Sequence, residues 1–242
     1  EDASISSNAA ENPYMSWTEP GKYDVSLTAT ASGGSVTESK PELAKVISGT
    51  SVRPFYESFS SPNFPVNNAS DFSENWFVDA LTSVNTFQRT TEASTDGNSS
   101  LKLDIKSAAG THRLISPMID MTQSTCNELT FDLAYNKRTG GSNDKLYVRV
   151  STSCGRTWPD NNTTLFTAND METGASSISG NFVPASDEWN NLTVDLSSFA
   201  NDDDIIIMFE LVTANGNTLF LDNVSFGCNN TPFYDGSGTT NN

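Results

Sequence analysis

Cationic side chains are scarce in this chain. Thirteen Lys and Arg stand against 30 Asp and Glu in 242 residues, for a formal net charge of −17. A field of that sign repels phosphate backbones, so nucleic acid is not an expected partner. Histidine is rarer still. The single one, His112, leaves no His-Glu-x-x-His zinc motif. A Ser-His-Asp triad could use only His112, far from any Gly-x-Ser-x-Gly elbow, so it reads as a surface histidine. No run of 18 apolar residues occurs, and no membrane insertion is expected. The three cysteines, Cys126, Cys154 and Cys228, are an odd number, which reads as one pair plus one free thiol. Sustained helical periodicity is also missing.

What the chain does have is alternation. Apolar and polar residues take turns in many short segments separated by turn signals, the pattern of an all-β sandwich. Leu101, Leu103 and Ile105 share one side of a segment, as do Leu129, Phe131, Leu133 and Tyr135. Leu146, Val148 and Val150 form another such set, and Ile205, Ile207, Phe209 and Leu211 a further one. Leu192, Val194 and Leu196 make a shorter strand. The last strand is Gly216-Asn217-Thr218-Leu219-Phe220-Leu221-Asp222-Asn223-Val224-Ser225-Phe226. Asp222 stands there between apolar neighbours, and a carboxylate so placed needs a partner, because an unpaired buried charge is costly. Residues 158–189 read as a long polar loop. Asp202-Asp203-Asp204 reads as a solvated turn. Abundant Ser, Thr, Asn and Asp fit an extracellular surface, and Glu1-Asp2-Ala3 reads as the start of a mature or trimmed product.

Near the N-terminus, Tyr23, Val25 and Leu27 alternate after a Pro20-Gly21 turn, and Gly33-Gly34 marks a second turn. Pro20-Gly21-Lys22-Tyr23-Asp24-Val25-Ser26-Leu27-Thr28-Ala29, with Gly34-Ser35-Val36-Thr37, resembles the C-terminal half of a PKD domain, an immunoglobulin-like fold. That family's front half has no counterpart here. An ordinary β-hairpin is the plainer reading of the same residues.

The larger part resembles a MAM-like jelly roll of the choice-of-anchor J kind, related in fold to galactose-binding-like sandwiches. The residues carrying the resemblance begin with Phe55-Tyr56-Glu57-Ser58-Phe59 and Asn75-Trp76. Leu114-Ile115-Ser116-Pro117-Met118-Ile119-Asp120 and Leu129-Thr130-Phe131-Asp132-Leu133-Ala134-Tyr135 follow. Val148-Arg149-Val150-Ser151-Thr152-Ser153-Cys154-Gly155-Arg156-Thr157-Trp158 and Leu221-Asp222-Asn223-Val224 complete it. The resemblance implies residues 1–48 as a partial PKD segment, 49–54 as linker, 55–228 as the jelly roll and 229–242 as a linker tail. It implies that the strand after Cys126 runs antiparallel to the one ending at Cys228, so those two cysteines form a disulfide and Cys154 is a buried or turn thiol.

The same resemblance implies a structural Ca2+ held by Glu57, Asp96, Asn98 and Asp222, since calcium takes hard oxygens from carboxylates and amides. The alternative is that Glu57 and Asp222 accept backbone N–H bonds without metal. Trp158, Phe182 and Trp189 flank the long loop and are candidate ligand-binding aromatics, with Phe166 beside them. The implied role is a non-catalytic accessory module of a secreted or cell-surface bacterial protein. Its partners would be a glycan or an extracellular protein, together with neighbouring domains of a parent chain. Type IX-secreted adhesins and metalloproteases are the implied setting. A ligand-free structural spacer is the alternative.

Overall fold

The structure is a computed structural model. It describes residues 3–5, 13, 15–19, 21–46, 52, 54–62, 64–65, 76–80, 85–105 and 109–228. The chain divides into two compact units, residues 1–50 with 68–73, and residues 51–67 with 74–242.

The smaller unit contains two antiparallel pairs. Strand β1 (Ala3–Ile5) pairs with β2 (Met15–Trp17), and β3 (Gly21–Ala31) pairs with β4 (Gly34–Val46). A two-residue turn, Ser32-Gly33, joins β3 to β4. The register slips between Tyr23, opposite Ala44, and Val25, opposite Lys40. The extra residues include Pro41, which has no N–H to give the ladder and so favours a bulge. One face of the hairpin carries hydroxyl pairs: Ser26 with Ser39 at 2.6 Å, Thr28 with Thr37 at 2.8 Å, and Thr30 with Ser35 at 2.9 Å. On the other face Leu27 and Val36 are exposed. Trp17 stacks on Tyr23, with ring centroids 5.4 Å apart.

The larger unit is a β-sandwich. Its strands are β5 (Tyr56–Glu57), β6 (Phe77–Ala80), β7 (Gln88–Thr90), β8 (Ser100–Leu103), β9 (Gly110–Ile115), β10 (Glu128–Tyr135), β11 (Lys145–Ser151), β12 (Thr163–Thr167), β13 (Asn190–Asp195), β14 (Ile206–Thr213) and β15 (Leu219–Phe226). The first sheet runs β13-β10-β15-β8-β7, with β5 also on β15, and the second runs β12-β11-β14-β9-β6. Every named pair is antiparallel. From β8 to β15 each successive strand changes sheets except β11 to β12, which pair as neighbours, giving 8-15-10-13 facing 9-14-11-12. That is the double Greek key of a jelly roll.

The inward rows are the apolar sets read from the sequence. Leu129, Phe131, Leu133 and Tyr135 of β10 face Leu146, Val148, Phe209 and Leu211 in one core. Phe131 lies edge-on to Phe209 at 5.2 Å. Full burial of each such side chain contributes about 1.5–3 kcal/mol. A ring cluster of Phe55, Phe59, Phe64, Trp76 and Phe226 fills one end. Cys126, before β10, is bonded to Cys228, after β15, with Cα atoms 5.6 Å apart. Cys154 is an exposed free thiol in a turn, with φ 54°. Val52, in the segment read as linker, bonds through its N–H to Met118 and through its C=O to Asp120, both at 2.9 Å.

Two sequence expectations need correction. His112 is fully buried, not on the surface. It sits opposite Leu211 on the inward row of β9, with Nδ1 2.8 Å from the Asn85 carbonyl. The stretch 158–189 is not one loop. It contains β12 and a helical turn, Ala168–Met171, capped by Thr167 and Asp170. Only Phe166 gives β12 an apolar inward cue, so the alternation there is weak. The tail 229–242 lies outside the described residues, as does most of the segment 1–12.

Candidate functional site

Strand β15 bulges after Asp222. Thr130 pairs with Ser225 but Asp132 pairs with Asp222, so the β15 side carries an extra residue. Asn223 takes it up with φ 51°, a left-handed conformation that Asn tolerates better than most residues. The bulge aims Asp222 and Asn223 into one polar cluster on the outward side of the first sheet. Asp222 is fully buried. Its Oδ2 accepts from the Thr95 N–H at 2.9 Å and the Thr95 hydroxyl at 3.1 Å, and its Oδ1 accepts from the Asn223 N–H at 2.9 Å. Asn223 donates through Nδ2 to Thr95 Oγ1 at 2.6 Å and to Asp132 Oδ2 at 2.8 Å. Asn191 donates to the other oxygen of Asp132 at 2.8 Å. The Tyr56 hydroxyl lies 2.7 Å from Asp96 Oδ2 and also contacts Asn223 Oδ1. One phenolic proton cannot serve both acceptors.

Loss of solvation pushes the Asp222 carboxyl up to about 7, against the opposing pull of the Thr95 and Asn223 donors. Glu57 on β5 is likewise pushed up to about 7, chiefly by burial, while the Phe59 N–H, at 2.6 Å from Oε1, pulls the other way. The negative charge of Asp222 raises it further. Burial and the bond to Asp96 drive Tyr56 far above the usual phenol range.

Of the four residues expected to hold calcium, Glu57 and Asp222 are both buried and accept backbone N–H bonds. Asp96 joins the Asp222 cluster through Tyr56, and Asn98 is exposed in the same turn as Asp96. The three acids do not converge to within 4.8 Å of one another. Among the described residues that closeness is reached only by Cys126, Glu128 and Cys228, and those cysteines are tied to each other. Sequence reasoning missed Tyr56, Thr95, Asp132, Asn191 and Asn223, which come from five separate parts of the chain. The Asp222-Asn223 pair inside an apolar strand was the one local cue to a bulge.

The candidate aromatics divide. Phe182 is buried and Trp189 half-buried; both pack edge-on against Phe220, at 6.3 and 6.2 Å. With Ala134 and Ile178 they form a satellite apolar cluster outside the first sheet. Buried Asn217 pins the segment above it, accepting from the Phe182 N–H at 3.0 Å and donating to the Gly180 carbonyl at 3.0 Å. Phe182 is therefore a packing residue rather than an accessible ligand contact. Phe166 faces the core, edge-on to Phe131 at 5.9 Å. Trp158 remains half-exposed. It lies with Ile206 against Gly155, at the end of the second sheet's outward face.

That outward face carries a continuous cross-strand row: Asp79 beside Arg113, Arg113 beside Glu210, Glu210 beside Tyr147, and Tyr147 beside Leu165. Glu210 joins two guanidiniums. Arg113 reaches Oε2 through Nε at 2.8 Å and Nη2 at 2.7 Å, and Arg149 reaches Oε1 through Nε at 3.1 Å. Arg149 also contacts Thr163 Oγ1 at 3.2 Å and Asp160 at 3.4 Å, and lies 4.7 Å from the centre of the Tyr147 ring.

No helix among the described residues is long and apolar enough to cross a membrane. No family model matches the sequence, and no curated protein matches it significantly. Among solved structures, the K1 cleaved adhesin domain of Lys-gingipain from Porphyromonas gingivalis W83 is similar over 73% of this chain and 98% of its own, at 18% identity and TM-score 0.46. A carbohydrate-binding module from the β-sandwich superfamily, described as promiscuous in specificity, is similar over 93% of this chain and 86% of its own, at 18% identity and TM-score 0.41. A mannan-recognising carbohydrate-binding module is similar over 71% and 94%, at 15% identity and TM-score 0.41. The jelly-roll assignment rests on this chain's own strand order, 8-15-10-13 against 9-14-11-12.

Proposed function

We propose that the larger unit is a non-catalytic binding module of a secreted or cell-surface bacterial protein, and that it recognises a glycan or a protein on the outward face of its second sheet. One observation carries this reading. The chain covers part of the first sheet's outer face with its own segment around Phe182 and Trp189, whereas the second sheet presents partly exposed Arg113, Tyr147, Arg149 and Leu165. The two acids most raised in pKa, Glu57 and Asp222, are buried and bonded to backbone N–H groups. A group so enclosed holds loops together and does not reach a substrate.

The proposal includes a structural calcium ion near Asp222. The support is electrostatic: burial raises Asp222 and Glu57, and each sits within the field of another acid. A cation held by the expected ligands Glu57, Asp96, Asn98 and Asp222 would offset those charges. For the smaller unit the proposal is the C-terminal half of a PKD domain, supported by the long hairpin formed by its Pro-Gly-x-Tyr-x-Val-x-Leu stretch.

A glycan array together with a pull-down against purified extracellular matrix proteins tests the binding role. Retention of a ligand that is lost on Tyr147→Ala supports it. Binding to nothing favours a structural spacer. Melting with calcium and with EDTA tests the ion, and superimposable midpoints would remove it.

A further inference from the structure

We propose that the row of Leu165, Tyr147 and Arg113, with Arg149 beside Tyr147, is a seat for uncharged saccharides, and that the module rejects acidic ones. This rests on the binding-module reading above and narrows its ligand.

The chain carries a net charge of −17. The outward face of the second sheet departs from that balance: Arg113, Lys145 and Arg149 stand there with Asp79, Glu210 and Asp160. Three basic groups meet three acidic ones, so the face itself is neutral. An acidic polysaccharide would find no compensating patch here and would meet repulsion from the rest of the surface. A neutral saccharide meets neither obstacle.

Glu210, only 7% exposed, is bonded to both Arg113 and Arg149, so it positions the two more exposed guanidiniums and does not itself meet a ligand. Salt-bridged guanidiniums of this kind keep fixed directions, and rigid donors order hydroxyls at a small entropic cost. Thr163 extends the polar line from Arg149.

Leu165 and Tyr147 form an apolar shoulder beside these groups. Leu165 is 44% exposed and lies directly across from Tyr147. Among the described residues, only Val183 is another large hydrophobic this exposed in the larger unit. An aromatic ring beside an aliphatic side chain, with guanidinium groups next to them, matches the two sides of a sugar: C–H faces on the apolar shoulder, hydroxyls on the polar line. From β12 across β11 and β14 to β9 the row spans about 14 Å at the ordinary strand spacing, enough for a short oligosaccharide.

Isothermal titration against soluble galactan, mannan and glucan fragments, with polygalacturonate and hyaluronate as acidic counterparts, tests this. The expected result is saturable binding of at least one neutral fragment. Its Kd should change less than about twofold between about 50 and 500 mM NaCl, because no net charge is neutralised. Leu165→Ala and Tyr147→Ala, both at partly exposed positions, should each weaken it about fivefold to tenfold with an unchanged circular dichroism spectrum. Preference for an acidic polymer, or neutral binding untouched by both variants, would overturn the inference. If no neutral fragment binds while a purified protein is retained and lost on Tyr147→Ala, the saccharide seat fails and the binding-module reading stands.

Discussion

Asp222 accepts the backbone N–H of Thr95 at 2.9 Å across 127 residues of chain. The same carboxyl takes the Thr95 hydroxyl and the Asn223 N–H, so one side chain fastens the turn around Thr95 to the closing strand. Asp222→Ala would leave all three donors without their acceptor. The expected cost is about 2–4 kcal/mol, read as a lower urea midpoint at unchanged slope. Thr95→Val, which removes only the hydroxyl, should cost about 0.5–1.5 kcal/mol.

The raised acids fix a pH dependence. In metal-free protein the folded state keeps protons on Asp222 and Glu57 up to about pH 7, whereas the unfolded chain releases them near the ordinary carboxylate values of 3.8 and 4.5. Their contribution is therefore fully present below about pH 4 and is lost as pH rises through about 7. In EDTA, wild type should lose stability relative to Asp222→Asn as pH climbs from about 4.5 to 7.5. Calcium should act in the opposite sense, because it binds the ionised form, so its effect on Tm should grow with pH. Scanning fluorimetry over that range checks both slopes, and a calcium effect that does not change with pH would contradict the second.

The Cys126–Cys228 bridge closes a separation of 102 residues. Replacing both cysteines with serine should lower stability by about 2–5 kcal/mol. Cys154→Ser, at an exposed turn, should stay within about 0.5 kcal/mol. Peptide mapping without reduction should find Cys126 and Cys228 in one linked species.

Gly216 has no room for a side chain. A Cβ there would stand 1.7 Å from Asp144 Oδ2 and 2.8 Å from Ile105 Cδ1. Asp144 is fully buried, bonded to the Tyr135 hydroxyl at 2.5 Å and the Ala214 N–H at 2.6 Å, and cannot move without breaking both contacts. Gly216→Ala should destabilise by more than about 2 kcal/mol. Gly180→Ala, where a Cβ meets nothing within 4 Å, is the control and should be nearly neutral. Thermal melts of the two variants side by side give the comparison.

The sandwich was legible wherever strands alternate strongly. Leu129 to Tyr135, Leu146 to Val150 and Ile205 to Leu211 put their apolar residues on the inward side as their period of two requires. Strand β12 was not legible, because its inward positions are Thr164 and Phe166 and hydrophobicity alone does not mark a threonine as facing a core. His112 was read by residue type, whereas β9's register turns it inward. Of the polar cluster, Asp222 stood out by its apolar neighbours. Thr95, Asp132 and Asn191 did not, because their partners are set by strand order and register, which no local window contains. Phe182 looked like a surface aromatic only because nothing in its own segment shows that Phe220 turns outward to meet it.

The position of β15 has a consequence for how the molecule is made. The final strand of the sandwich does not lie at a margin; it is wedged between β10 and β8, with β5 also leaning on it. A nascent or threading chain therefore holds two unjoined half-sheets until residue 226 becomes available. Acquisition of the native state is a late, long-range event and cannot proceed in step with synthesis. The first sheet is completed only once that last strand has left the ribosome.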